Sequence, residues 1–263
     1  MIQMSWRATL TRLGVAATVM VVAAHATAAP VIGIQIESLG GGYAGYSASQ
    51  EGTANPDGSF ELKGFVDSTT YGTSFNCDWS INVNEDPQIT STFTLTNISG
   101  VTQTFIMTVT LPIAAIGPST VQGGYFGNPA LDTYGDPIGT RYTDANGNSD
   151  VTLNTIAGTP FYQALVNGIL SKGLGDFAPD GLNANGGPGI YASLSQQTWG
   201  TPIPSAPFGP ASGNMQIRWT FSLTAGDSVS TKGFFQVEPV PEPASAVLLG
   251  LGLAALAAAR RRA

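Results

Sequence analysis

Between Gln88 and Leu111 the chain reads QITSTFTLTNISGVTQTFIMTVTL. Ile89, Phe93 and Leu95 alternate with Thr90, Thr92, Thr94 and Thr96. On an extended backbone that period of two puts the apolar side chains on one face and the hydroxyls on the other. Phe105, Met107, Val109 and Leu111 repeat the pattern against Thr104, Thr108 and Thr110, with Asn97-Ile98-Ser99-Gly100 between the two runs. Two such strands joined by a short Gly-containing turn predict an antiparallel hairpin with one buried face.

The same chemistry extends in both directions. Val31 to Glu37, Ser59 to Asp67, Thr73 to Asn84 and Val151 to Thr155 are rich in β-branched and aromatic residues and bounded by Gly, Pro, Asn and Asp. Met215, Ile217, Trp219, Phe221 and Leu223 share one face in strict alternation, and Ser228 to Val237 follows across Thr224-Ala225-Gly226-Asp227. Many short strands with turn signals and little helical periodicity predict an all-β fold, an antiparallel two-sheet β-sandwich. One helix is expected from Pro160 through Phe161, Leu165, Ile169 and Leu170 to Gly173. A long loop is expected over 176–213, where Pro202, Pro204, Pro207, Pro210 and several glycines cluster around Tyr191 and Trp199. The two aromatics read either as loop anchors or as rings that stack on a sugar.

The two ends of the chain do not belong to that fold. Arg7 and Arg12 precede an apolar run from Leu13 to Ala24, and Ala26-Thr27-Ala28 has the small-x-small pattern read by signal peptidase. Residues 1–28 thus read as a signal peptide, with cleavage after Ala28. The exported domain spans 29–239, and the last segment is 240–263. There Pro241-Glu242-Pro243 cannot enter a helix interior or a central strand, because the two prolines fix φ and remove two donors. Ala244 to Ala259 is apolar and uncharged, long enough for a transmembrane helix of roughly 24 Å at about 1.5 Å per residue. Arg260, Arg261 and Arg262 set its direction, since basic flanks stay on the cytoplasmic side and leave the body of the chain outside.

A Pro-Glu-Pro motif, a short membrane helix and a basic cluster, in that order at the C-terminus, resemble the PEP-CTERM protein-sorting domain. The resemblance covers Val240 to Arg262. It implies that an exosortase in the inner membrane of a Gram-negative-type bacterium recognises and removes the tail. The passenger would then reach the cell surface or the exopolysaccharide matrix.

Charge and composition limit the chemistry. Residues 29–240 hold five Lys and Arg against sixteen Asp and Glu, a formal net charge of −11. Such a surface repels phosphate backbones and offers nucleic acid no basic stripe. The one histidine, His25, leaves with the signal peptide. Ser-His-Asp and Cys-His catalysis, His-ligated zinc and haem with a proximal His are thereby excluded. Cys77, the single cysteine, cannot close an internal disulfide and reads as a buried thiol among aromatics.

Two constellations carry possible chemistry. Asp144, Asn146, Asn148 and Asp150 place oxygens at alternate positions around Gly147, which suits Ca²⁺ and equally suits an Asn-Gly hairpin turn. No other cofactor is implied. Glu85-Asp86 and the Asp132, Asp136 pair near Tyr134 are the carboxylates to weigh for a glycosidase, which needs two carboxyls about 5 to 9 Å apart. Neighbours on a strand point to opposite faces, which disfavours Glu85 with Asp86. The first expectation is therefore a non-enzymatic exported surface or matrix protein, serving adhesion, matrix structure or glycan contact through the 176–213 loops and the acidic face. Against it stand a carboxylate-dependent polysaccharide hydrolase or lyase, and a bitopic membrane protein whose tail is never cut.

Overall fold

The computed structural model describes residues 29–40, 45–84, 86–126, 141–143, 150–154, 158–175, 182–185, 191–193, 196–201, 205–240, 250–253 and 260. The signal peptide 1–28, the sorting motif 241–243, most of the apolar tail, Glu85, Asp132, Tyr134, Asp136 and residues 144–149 lie outside them.

The described chain is all-β apart from one helical turn in the domain and residues 250–253 and 260 of the tail. Its strands are β1 (Val31–Leu39), β2 (Tyr46–Glu51), β3 (Thr53–Ala54), β4 (Phe60–Val66), β5 (Phe75–Asn84), β6 (Gln88–Asn97), β7 (Gln103–Phe126) and β8 (Arg141–Thr143). There follow β9 (Asp150–Asn154), β10 (Tyr162–Val166), β11 (Ile169–Leu174), β12 (Leu182–Asn185), β13 (Tyr191–Ser193), β14 (Gln197–Trp199), β15 (Ala206–Leu223) and β16 (Ser228–Pro239). The helical turn α1 (Ser68–Tyr71) is capped by Asp67, whose carboxylate accepts from the Thr70 amide, and ended by Gly72 at φ 67°.

All sixteen strands belong to one hydrogen-bonded network. It has two arms that share β7. The first half of β7 pairs with β1 and β15, and β15 continues to β10 and β11. Residues 119–126 of β7 pair with β16, which leads through β6 and β5 to β4. Buried side chains from both arms meet: Phe93 of β6 packs edge-on against Trp219 of β15 at 5.1 Å, and Phe75 of β5 against Phe105 of β7 at 5.8 Å. Neither pair of strands is hydrogen-bonded to the other, so these contacts join the arms through the core. The Trp219 ring also lies over Gly233, where a Cβ would stand 2.7 Å from it.

Three expectations need correction. Strands 88–97 and 103–111 both form with the apolar faces foreseen, but they do not pair with each other. β6 lies between β5 and β16, while β7 starts in the other arm. Alternation identifies the buried face and is silent about which strand lies alongside. The strands ending at Leu223 and beginning at Ser228 likewise form without pairing, and cross between arms.

The helix expected over 160–173 is a hairpin, β10 paired antiparallel with β11. Its turn is Asn167-Gly168, with φ 53° and 76°, the double positive-φ geometry that Asn-Gly favours in two-residue hairpins. Ile169 and Leu170, read as part of a helical stripe, are exposed. The loop expected over 176–213 contains β12, β13, β14 and the start of β15. Pro210 falls among register shifts that run from Phe208 to Gly213, and Pro207 stands where β15 has β7 alone beside it.

Candidate functional site

The tail leaves the domain from the end of β16. That strand is held on both sides, by β6 through Gln236 and by β7 through Pro239, which stands opposite Ser119. The Val240 amide then donates to the Pro118 carbonyl at 2.8 Å. Pro241 follows Val240 directly in the sequence, with no residue between this hydrogen bond and the Pro-Glu-Pro triplet. Beyond it, residues 250–253 are helical, with Leu251 and Leu253 exposed, and Arg260 is exposed. Among the described residues no helix is long and apolar enough to cross a membrane. Pro241, Glu242, Pro243, Arg261, Arg262, Ala26 and Ala28 lie outside the described residues.

At this same end the core opens into a cavity of about 300 Å³. Phe60, Leu111, Ile113 and Ile116 form its apolar wall, and Pro30 and Pro239 both line it. Pro30 is held there by its carbonyl, which accepts from the Gly52 amide at 3.1 Å. The chain enters and leaves the domain at one place.

The outer face of the β5–β6–β16 arm is the second feature. Register aligns Asp78, Thr94 and Ser230 in one row, Ser80, Thr92 and Lys232 in the next, and Asn82, Thr90 and Phe234 in a third. Thr94 Oγ1 donates to Ser230 Oγ at 3.1 Å, Gln122 Nε2 to Gln236 Oε1 at 2.6 Å, and Asn84 Nδ2 to Gln88 Oε1 at 2.9 Å. Lys63 pairs with Glu61 at 2.9 Å, and Ser80 donates to the same carboxylate. At one border Phe126 and Phe234 stack at 5.3 Å. The surface is dominated by hydroxyls and amides, the groups that a polysaccharide itself carries. The threonine alternation announced most of this face, whereas Phe126 was not foreseen because Gly123-Gly124 interrupts the alternation before it.

The titratable groups do structural work. The Asp57 carboxyl is lowered by hydrogen bonds from Ser59, Glu61 by Lys63, and Asp67 by Thr69 and Thr70. Each is held in its ionised form, the opposite of what a general acid requires. Asp86 lies at the cavity, but its sequence neighbour Glu85 and the pair Asp132 and Asp136 fall outside the described residues. No group of three or more His, Cys, Asp or Glu is close enough for a metal among the described residues. Asp150 opens β9, whereas Asp144, Asn146 and Asn148 lie outside the description. Cys77 is buried on the inner face of β5, and burial pushes its thiol well up. Trp199 packs inward against Phe235, ring centroids 6.2 Å apart, as a loop anchor would.

Asn97, foreseen only as part of a turn, is the residue that secures both crossings between the arms. It is fully buried. Its Nδ2 donates to the carbonyls of Val101 at 2.9 Å, Leu223 at 2.9 Å and Thr224 at 3.0 Å. Its Oδ1 accepts from the Ser99 amide and hydroxyl. Its backbone amide and carbonyl bond to Asp227 and Gly226. The Asn97-Ile98-Ser99 turn is therefore an internal tie.

Residues 239–262 match the PEP-CTERM protein-sorting motif, under a tenth of the chain. The matched motif indicates an exported protein that is a substrate for exosortase processing. No curated protein sequence matches the chain.

Proposed function

We propose that the chain is a non-enzymatic surface or extracellular-matrix protein, held briefly in the inner membrane by its tail with the N-terminus outside, then released by exosortase cleavage. In this reading signal peptidase removes residues 1–28 and the apolar run 244–259 is the transient transmembrane helix. The two arms of the sheet act as the layers of a β-sandwich, with Phe93, Trp219, Phe75 and Phe105 in its interior. The exopolysaccharide is the partner, met by the hydroxyl and amide face of β5, β6 and β16. One observation carries the proposal: the match to the sorting motif starts at residue 239, at the end of β16, and the Pro-Glu-Pro triplet follows the hydrogen-bonded Val240 directly in the sequence.

Intact-mass measurement on protein recovered from native cells tests it. The expected species starts near Ala29 and ends close to the Pro-Glu-Pro motif. Recovery with Arg260, Arg261 and Arg262 in place refutes release and leaves a permanently anchored bitopic protein. Glycan contact is tested separately by co-sedimentation with the producer's exopolysaccharide. A Thr90→Glu, Thr92→Glu chain should lose it, and undiminished binding removes that face from the proposal.

A further inference from the structure

The strands of β7 and β15 form an uncharged ribbon exactly where the tail departs. Residues 112–118 of β7 pair only with β15, because the β1 ladder stops at Thr110 and the β16 ladder at Ser119. Pro112, Ala114, Ala115, Gly117 and Pro118 are exposed on one strand, and Pro207, Gly209, Pro210 and Ser212 on the other. No charged residue occurs between Asp86 and Asp132, or between Asp180 and Arg218, so both strands come from charge-free stretches of the sequence. The Asn167-Gly168 turn joins the same end through the Asn167 amide, which donates to the Asn214 carbonyl at 2.7 Å, and it brings exposed Ile169 and Leu170 with it.

Chain length then limits where a bilayer can be. Val240 is bonded to Pro118 of the ribbon, and the apolar run starts at Ala244. Four residues, 240–243, reach at most about 14 Å when fully extended. The headgroup layer of one leaflet is itself roughly 5–8 Å thick, from the difference between total and hydrocarbon thickness. Pro30, which the signal segment precedes, lines the cavity beside Pro239, so the amino end approaches from the same side.

We propose that this ribbon rests in the headgroup layer of the membrane that the tail enters, orienting the domain with the Asn97 crossings farthest from the lipid. The inference rests on the anchoring reading above. It adds a second, reversible contact made by the folded domain itself. Asp86 and Glu238 stand near the tail's exit, Glu51 precedes the Gly52 bonded to Pro30, and Glu242 lies in the tail itself; all are acidic, so the contact is apolar and gains nothing from anionic lipid.

The test uses the full chain reconstituted in phosphatidylcholine vesicles, with an environment-sensitive fluorophore on Ala115→Cys, Ser212→Cys or Gly100→Cys. Buried Cys77 stays unlabelled in the folded chain, and the unsubstituted protein supplies the blank. Gly100 is exposed at the opposite end, with open space around it. The expected result is blue-shifted emission and several-fold stronger quenching by nitroxide lipid at positions 115 and 212 than at 100, unchanged by added phosphatidylglycerol. Equal quenching at all three positions in chains that float with the vesicles overturns the membrane contact alone. Chains that do not float overturn the anchoring reading and the contact with it. Agreement between 115 and 212, on separate strands, guards against a single label distorting the ribbon.

Discussion

Replacing Asn97 by alanine should be the most damaging single polar substitution in the domain. The two N–H groups of the side-chain amide are shared among three main-chain carbonyls, and its oxygen accepts from the Ser99 amide and hydroxyl. The side chain bridges the 97–103 crossing to the 223–228 crossing, whose ends are also joined where Leu223 stands opposite Gln103 and Ser228 opposite Thr96. Alanine removes these bonds, while the Val101 carbonyl still accepts from the Ser99 hydroxyl and the Thr224 carbonyl from the Asp227 amide. Each net hydrogen bond contributes about 0.5–1.5 kcal/mol. A loss of about 3–5 kcal/mol is expected, in the range reserved for broken buried networks. For a domain of this size Tm falls by about 2–4 °C per kcal/mol, thus by about 6–20 °C. Thermal denaturation followed by near-UV circular dichroism reads it, with Thr96→Ala on the neighbouring outward position as control. A Tm for Asn97→Ala within the scatter of that control would refute the claim that this amide ties the arms.

Other outcomes follow from the same packing. Gly233→Ala brings a Cβ to 2.7 Å from Trp219 Cζ2 and 3.3 Å from Tyr162 Cε2, an overpacking that should cost about 1–3 kcal/mol in denaturant titration. Burial pushes the Tyr125 hydroxyl up to about 12 and that of Tyr162 further in the same direction. Both folded values exceed the unfolded value of about 10, so this stability is complete below pH 10 and declines above it. The slope is about 1.4 kcal/mol per pH unit for each tyrosine, visible as a cooperative tyrosinate absorbance step coincident with unfolding. The Cys77 thiol should react with a disulfide reagent only at the rate of unfolding, and fast labelling in native buffer would show that β5 opens locally.

Much of the local structure was legible because alternation is a one-dimensional signal. β1, β4, β5, β6 and the second half of β15 were read within two or three residues. The β10–β11 hairpin was misread because Phe161, Leu165 and Ile169 fall at a helical spacing, although Asn167-Gly168 carried the decisive turn chemistry. The sorting motif was legible, because its prolines, apolar run and terminal arginines stand in a fixed order at residues 239–262.

Strand partners are a different matter. The apolar face of residues 88–97 would be buried equally well beside residues 103–111 or between β5 and β16, because hydrophobic burial is non-directional. The choice was made by contacts more than a hundred residues apart in sequence, Phe93 with Trp219 and Asn97 with Leu223. Those same contacts place Pro30, the 112–118 ribbon and Val240 at one end. The order of residues determined the strands and the address on the tail; only the closed core determined which end of the domain the tail departs from, since that depends on which buried surfaces fit together.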